Sequence, residues 1–123
     1  MRWAFETIYS RPLITIECNK RPLRCILDTG YPGTIWMSRD MSARYEIATG
    51  EQDYYAATAS GIEAQYFLGY ARVVIDPIVF DSLPIDVHTG IYAEHALLGT
   101  RALRNFRVIL DFKDEFTDFQ YID

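Results

Sequence analysis

The sequence predicts an all-β protein with one short helix toward its C-terminal end and a projecting hairpin. Three observations carry that expectation. Turn signals recur at short spacing along the 123 residues, and few stretches between them are long enough for a helix. The segments between turns alternate apolar and polar residues with a period of two. Aromatics make up 15% of the chain, with nine Tyr and seven Phe, a composition that suits a pleated, half-buried surface.

Leu13 to Cys18 shows the pattern first, with Ile14, Ile16 and Cys18 on one face and Thr15 and Glu17 on the other. Asn19-Lys20 supplies a two-residue turn, and Leu23 to Leu27 returns as a strand apolar on both faces except at Arg24. Strand character resumes at Thr34 to Met37, and Ser38 to Tyr45 reads as a loop or short helical turn. Tyr54 to Thr58 and Ile62 to Ile75 form a hairpin with its tip near Ser60-Gly61. Asp76-Pro77 and Asp81-Ser82 then separate two strands, Ile78 to Phe80 and Leu83 to His88. The expected helix runs from Thr100 to Phe106, with Thr100 as its N-cap and Leu98, Ala102 and Phe106 at i, i+4 spacing. Arg107 to Phe112 and Phe116 to Ile122 close the chain as strands. No internal repeat or linker interrupts residues 1–123, so one domain is expected.

The net charge of −5, from 17 acidic and 12 basic residues, argues against nucleic acid as a partner. The opening residues Met1 to Glu6 hold no apolar core of signal-peptide length, and no apolar run approaches membrane-spanning length. A soluble, cytoplasmic protein without a membrane partner is the expectation. Cys18 and Cys25 fall on the apolar side of their strands, several pairs from direct opposition, and read as two reduced core thiols. His88 and His95, with Asp86 or Glu94, match no standard ligand spacing. They read as surface or loop histidines, and no metal is expected. Tyr54 and Tyr55 stand at the base of the hairpin, where strand aromatics either fill a core or face a cleft.

The residues that carry chemistry are Asp28-Thr29-Gly30. An apolar strand delivers one carboxylate into a tight turn, where Gly30 permits a geometry that a Cβ would obstruct. Alone, the tripeptide is also what an ordinary Asp-containing β-turn would show. Its company is more specific: Thr34 follows the turn, Thr58-Ala59-Ser60-Gly61 forms the hairpin tip, Leu97-Leu98-Gly99 precedes the short helix bearing Leu103, and Val108 to Phe112 forms the next strand. In that order, over roughly Leu13 to Phe112, the set resembles the retropepsin-like aspartic proteases, which include retroviral proteases and single-lobe bacterial and archaeal relatives.

The resemblance implies a retropepsin-like closed β-barrel or sandwich and assigns roles by position. Asp28 would be the catalytic carboxylate, Thr29 would clamp two active-site loops across subunits, and Gly30, Tyr31 and Thr34 would belong to the active-site loop. Ala59, Ser60 and Gly61 would be the flap over bound peptide, with Leu98 and Gly99 as structural support. The chain bears one such motif, whereas the chemistry needs two carboxylates. The resemblance therefore implies a homodimer with its site on the two-fold axis, acting on a peptide or protein substrate without a cofactor. The family usually places Ala or Ser after the glycine, and here Tyr31 and Pro32 stand there. A ring in that place either narrows the cleft or packs away from it, so a catalytically silent dimer that binds peptide or ligand is the alternative expectation.

Overall fold

The alternation read from the sequence becomes a barrel in the computed structural model, which describes residues 1–57, 61, 63–89 and 94–122. The strands are β1 (Arg2–Ala4), β2 (Leu13–Cys18), β3 (Arg21–Leu27), β4 (Ile35–Ser38), β5 (Thr49–Ala57), β6 (Glu63–Ile75), β7 (Ile78–His88), β8 (Ala96–Leu98), β9 (Phe106–Asp111) and β10 (Phe116–Tyr121). Six of them pair in the order β2-β3-β8-β4-β7-β6, and a second pairing of β2 with β6 closes the barrel. That closure rests on Glu17 opposite Val74 and Cys18 opposite Val73. Closing the ring removes the edges that an open sheet would leave unpaired. Strand β5 pairs only with β6 and stands outside the ring as the outer arm of the hairpin, exposed along nearly its whole length.

Side chains of one parity fill the barrel. Ile14, Leu23, Ile35, Val73, Ile85 and Leu98 are each fully buried. The β2–β3 turn uses positive φ at both Asn19 (48°) and Lys20 (69°), the backbone that a two-residue hairpin turn requires. Cys18 and Cys25 are free thiols in the core, and burial pushes Cys18 up to about 11, so neither is a reactive thiolate at neutral pH.

Two differences from the sequence reading have a plain physical reason. Strand β7 is continuous through Asp81-Ser82, which sit at a bulge where the register with β6 shifts between Ala71 and Val73. Polar residues that looked like a break are accommodated as the bulge. The C-terminal helix is a 3-10 turn of four residues, Thr100–Leu103, and Phe106 already belongs to β9. Its N-cap position is Gly99 rather than Thr100, with no side-chain cap. Among the described residues the one α-helix is α1 (Arg39–Arg44), the short helical turn that the sequence allowed there. Ser38 caps it by accepting the Met41 N–H at 3.2 Å, and Arg44 stands in its last turn.

The termini form a separate three-stranded sheet, β1-β10-β9. Several of its aromatics pack within the chain: Phe119 is buried against Trp3 edge-on at 5.0 Å and against Phe106 at 5.5 Å, and the Arg2 guanidinium lies 4.0 Å from the Phe116 ring centre. Among the described residues no helix is long and apolar enough to cross a membrane.

Leu98 joins β8 to both β3 and β4 in the centre of this core, opposite Leu27 and Ile35. Truncation to alanine should therefore leave a cavity that the ring cannot collapse around. We expect Leu98→Ala to lower unfolding stability by about 2–5 kcal/mol, measured as a shift in urea midpoint at unchanged slope.

Candidate active site

The apolar strand β3 ends at Leu27, and the next residue, Asp28, turns out of the core. Its N–H donates to the Leu98 carbonyl at 2.9 Å, so β3 stays tied to β8 one residue beyond the barrel ladder. The chain then reverses: the Tyr31 N–H donates to the Asp28 carbonyl at 3.1 Å, and the Gly30 N–H donates to Asp28 Oδ1 at 3.0 Å. The carboxylate is thus oriented by its own turn, half-buried at the floor of a cleft of about 640 Å³. Thr29 is exposed, and its hydroxyl makes no hydrogen bond among the described residues. Thr34 is buried, and its hydroxyl donates to the Pro84 carbonyl on β7.

The segment after β8 holds this loop from the other side. The Gly99 N–H donates to the Thr34 carbonyl at 2.7 Å, the Thr100 N–H to Tyr31 at 3.0 Å, and the Arg101 N–H to Gly33 at 3.1 Å. These donors are among the groups that a helical start leaves unpaired, and the loop carbonyls satisfy them. The approach is close enough that a Cβ on Gly99 would strike the Gly33 carbonyl and lie 2.6 Å from both the Tyr31 carbonyl and its ring. Of the sequence-predicted residues, Asp28, Thr29, Gly30, Tyr31, Thr34, Leu98 and Gly99 are therefore brought together. Gly61 is exposed with φ +82°, while Ala59 and Ser60 lie outside the described residues. The arms of the hairpin are paired as far as Ala57 opposite Glu63, and Ala56 and Ala57 line the same cleft as Asp28.

Tyr31 does not stand free in the cleft mouth. Its hydroxyl donates to Asp86 Oδ2, its ring packs over Gly33 and Gly99, and it meets Trp36 edge-on at 6.0 Å. Asp86 and Trp36 are directly paired across β7 and β4, on the face opposite the barrel interior. His88 lies two residues along that face, stacked on Trp36 at 5.0 Å with the planes 14° apart. Tyr66 on β6 contacts Trp36 at 5.5 Å and stacks on Tyr54 at 5.5 Å. Asp86, Trp36 and Tyr66 form a wall of the cleft that sequence reasoning missed. The signal available was the parity of Trp36 with Ser38 and of Asp86 with His88, but the strand pairing that unites them is non-local.

Two expectations about the histidines and tyrosines are corrected here. His88 is buried rather than on the surface or in a loop, and burial pushes its imidazole below its ordinary value. His95 is largely enclosed beside Glu6, which also accepts from Arg11. Tyr54 and Tyr55 do not fill a core: they are 37% and 61% exposed on the outer hairpin arm. Among the described residues no group of three or more His, Cys, Asp or Glu could hold a metal ion.

Desolvation raises the Asp86 carboxyl above its ordinary value, outweighing the opposing pull of the Tyr31 hydroxyl and of Arg101. Burial, and then the hydrogen bond to Asp86, raise Tyr31 in turn.

Comparison with known proteins supports the same architecture. Residues 14–105 match the model of a family described as "gag-polyprotein putative aspartyl protease". A retropepsin-like aspartic protease from Rickettsia conorii is 19% identical with a TM-score of 0.72, the match covering 98% of this chain and 89% of that one. The EIAV protease complexed with the inhibitor HBY-793 is 19% identical with a TM-score of 0.60, covering 80% of this chain and 90% of that one. The retroviral protease-like domain of Ddi1 from Leishmania major is 12% identical with a TM-score of 0.58, covering 91% and 90%. At these identities the likeness is one of fold. No curated protein sequence matches the chain.

Two measurements test the construction of the site. Gly99→Ala should force the 31–34 loop and the 99–101 segment apart and cost about 1–3 kcal/mol in denaturant unfolding. For Asp86, a raised folded-state pKa means that the native state binds more protons above the ordinary carboxylate range, so its contribution to stability falls as pH rises. Asp86→Asn should thus be more stable than the wild type at pH 7, with the gap closing as pH falls through the acid range. A gap that stays constant with pH would show that Asp86 carries no desolvation penalty.

Proposed function

The chain belongs to the gag-polyprotein aspartyl protease family, with a retropepsin-like fold, and from that premise we propose that it is an aspartic endopeptidase working as a homodimer. The observation that carries the reading is the Asp28 carboxylate, oriented by the Gly30 N–H at the floor of an open cleft that the β5 arm also lines. One carboxylate cannot both accept and supply a proton in the same step, so a second copy of the chain brings the second Asp28. The exposed Thr29 hydroxyl, which makes no hydrogen bond among the described residues, is available to a partner loop.

In this reading the two Asp28 carboxyls face each other across a two-fold axis and hold one proton between them, because like charges at such close range cannot both persist. The ionised carboxylate takes a proton from a water molecule, whose oxygen attacks the peptide carbonyl carbon. The protonated carboxyl donates to the carbonyl oxygen as charge develops there. Collapse of the tetrahedral intermediate breaks the C–N bond, and the leaving amine takes up a proton from the dyad. The steps need no metal or organic cofactor. The substrate is an extended peptide or protein segment between the cleft floor and the hairpin. Because Tyr31 is engaged with Asp86, Gly33 and Gly99, its ring leaves Asp28 accessible.

The test is cleavage of an unbiased peptide library by wild type and Asp28→Asn at acidic and neutral pH, with mass measured by sedimentation. We expect a dimer, and a loss of kcat/KM of between about 100- and 10,000-fold in the variant without loss of fold. A strict monomer at high concentration, or cleavage that survives Asp28→Asn, would overturn the mechanism. A dimer that binds peptides and leaves them intact would assign the cleft to recognition alone.

A further inference from the structure

The cleft contains a second carboxylate that the chemistry above does not use. Asp86 projects from the outer face of β7 between Trp36 on β4 and Leu68 on β6, neither of which offers a charge. Its Oδ2 accepts the Tyr31 hydroxyl, and its Oδ1 takes no hydrogen bond from the described residues. Arg101 acts on it only from beyond ion-pair contact, and His88, two residues along the same face, is turned against Trp36. Among the described residues lining the cleft, the only charged side chains are Asp28 and Asp86.

Anchoring Tyr31 does not require a charge. An amide or carbonyl oxygen would accept the same hydroxyl without the desolvation that a half-buried carboxylate suffers. A carboxylate kept in a cleft with an oxygen left over, no cation within ion-pair contact and aromatic neighbours is suited to receive a cation. The neighbouring rings suit one that arrives on an apolar stem. Trp36 is braced by its stack on His88, and Tyr66 by its stack on Tyr54, so both are held in position before any ligand binds. We propose that this cleft selects a lysine or arginine side chain of the peptide, its stem lying along Trp36 and Tyr66 and its charged head meeting Asp86 Oδ1. The proposal rests on the peptide cleft assigned above and makes Asp86 a specificity-determining residue.

The test uses the full chain and peptides acetylated and amidated at their ends, identical except for lysine, arginine or norleucine at each position in turn. At one position, kcat/KM should favour lysine or arginine over norleucine by about tenfold or more, as a charge-assisted contact allows. Asp86→Asn should bring that ratio toward one, and Asp86→Glu should retain it. A ratio near one in the wild type, or one that survives Asp86→Asn, overturns the proposal and leaves proteolysis standing. A preference seen only with peptides bearing a free N-terminal ammonium overturns it as well, because the cation would then not be a side chain. Should no peptide be cleaved, the protease reading fails and the same peptides are titrated calorimetrically. Roughly tenfold tighter binding of the cationic peptide, lost in Asp86→Asn, supports the receptor, and equal or undetectable binding overturns it.

Discussion

Everything around Asp28 depends on a backbone clasp between two chain segments some seventy residues apart in sequence. The 28–34 loop and the 98–101 segment exchange four main-chain hydrogen bonds, from Asp28 to Leu98, Gly99 to Thr34, Thr100 to Tyr31 and Arg101 to Gly33. Backbone groups in a crowded site must find partners or lose several hydrogen bonds' worth of solvation. Here each segment completes the other, so a loop that could wander is held as firmly as a strand. Gly99 makes this possible because no side chain intervenes where it meets Gly33 and Tyr31.

The pairing of Phe106 in β9 explains why the C-terminal helix is so short. The N–H groups of Thr100 and Arg101 are spent on the loop, and the chain must reach Phe106 in time to pair as β9. A four-residue 3-10 turn meets both demands, whereas a longer helix would carry Phe106 out of its contacts with Phe119. The periodicity of Leu98, Ala102 and Phe106 reflected burial, since all three face the core, but in three different elements.

Around this rigid centre the barrel presents two faces with different tasks. Its inner face is uniformly apolar and closes on itself. Its outer face at β4, β7 and β6 carries Trp36, Asp86, His88 and Tyr66, a mixture that a purely structural surface has no need for. Aromatic stacking braces that wall while a desolvated carboxylate weakens it. Under the proposed selection of a cationic side chain, that stability is given up for recognition. The hairpin arm β5 is the opposite case, exposed and paired on one side only, so little packing holds it in one position.

The sequence by itself determined what short-range physics can write. The Asn19-Lys20 turn, the alternation of β2 and the strand-to-turn delivery of Asp28 were legible because each depends on residues within a few positions of one another, and the motifs leading to the family because each is a short local pattern whose order the chain preserves. Tertiary structure alone decided the rest. Strand β8 is three residues long and became a strand only by inserting between β3 and β4, and β7 ran through Asp81-Ser82 because β6 offered a continuous partner. His88 was drawn off the surface by the Trp36 ring, and Asp86 entered the cleft because β4 and β7 pair in parallel. Parallel and barrel-closing pairings join residues far apart in the chain, and no local period records which of them will meet.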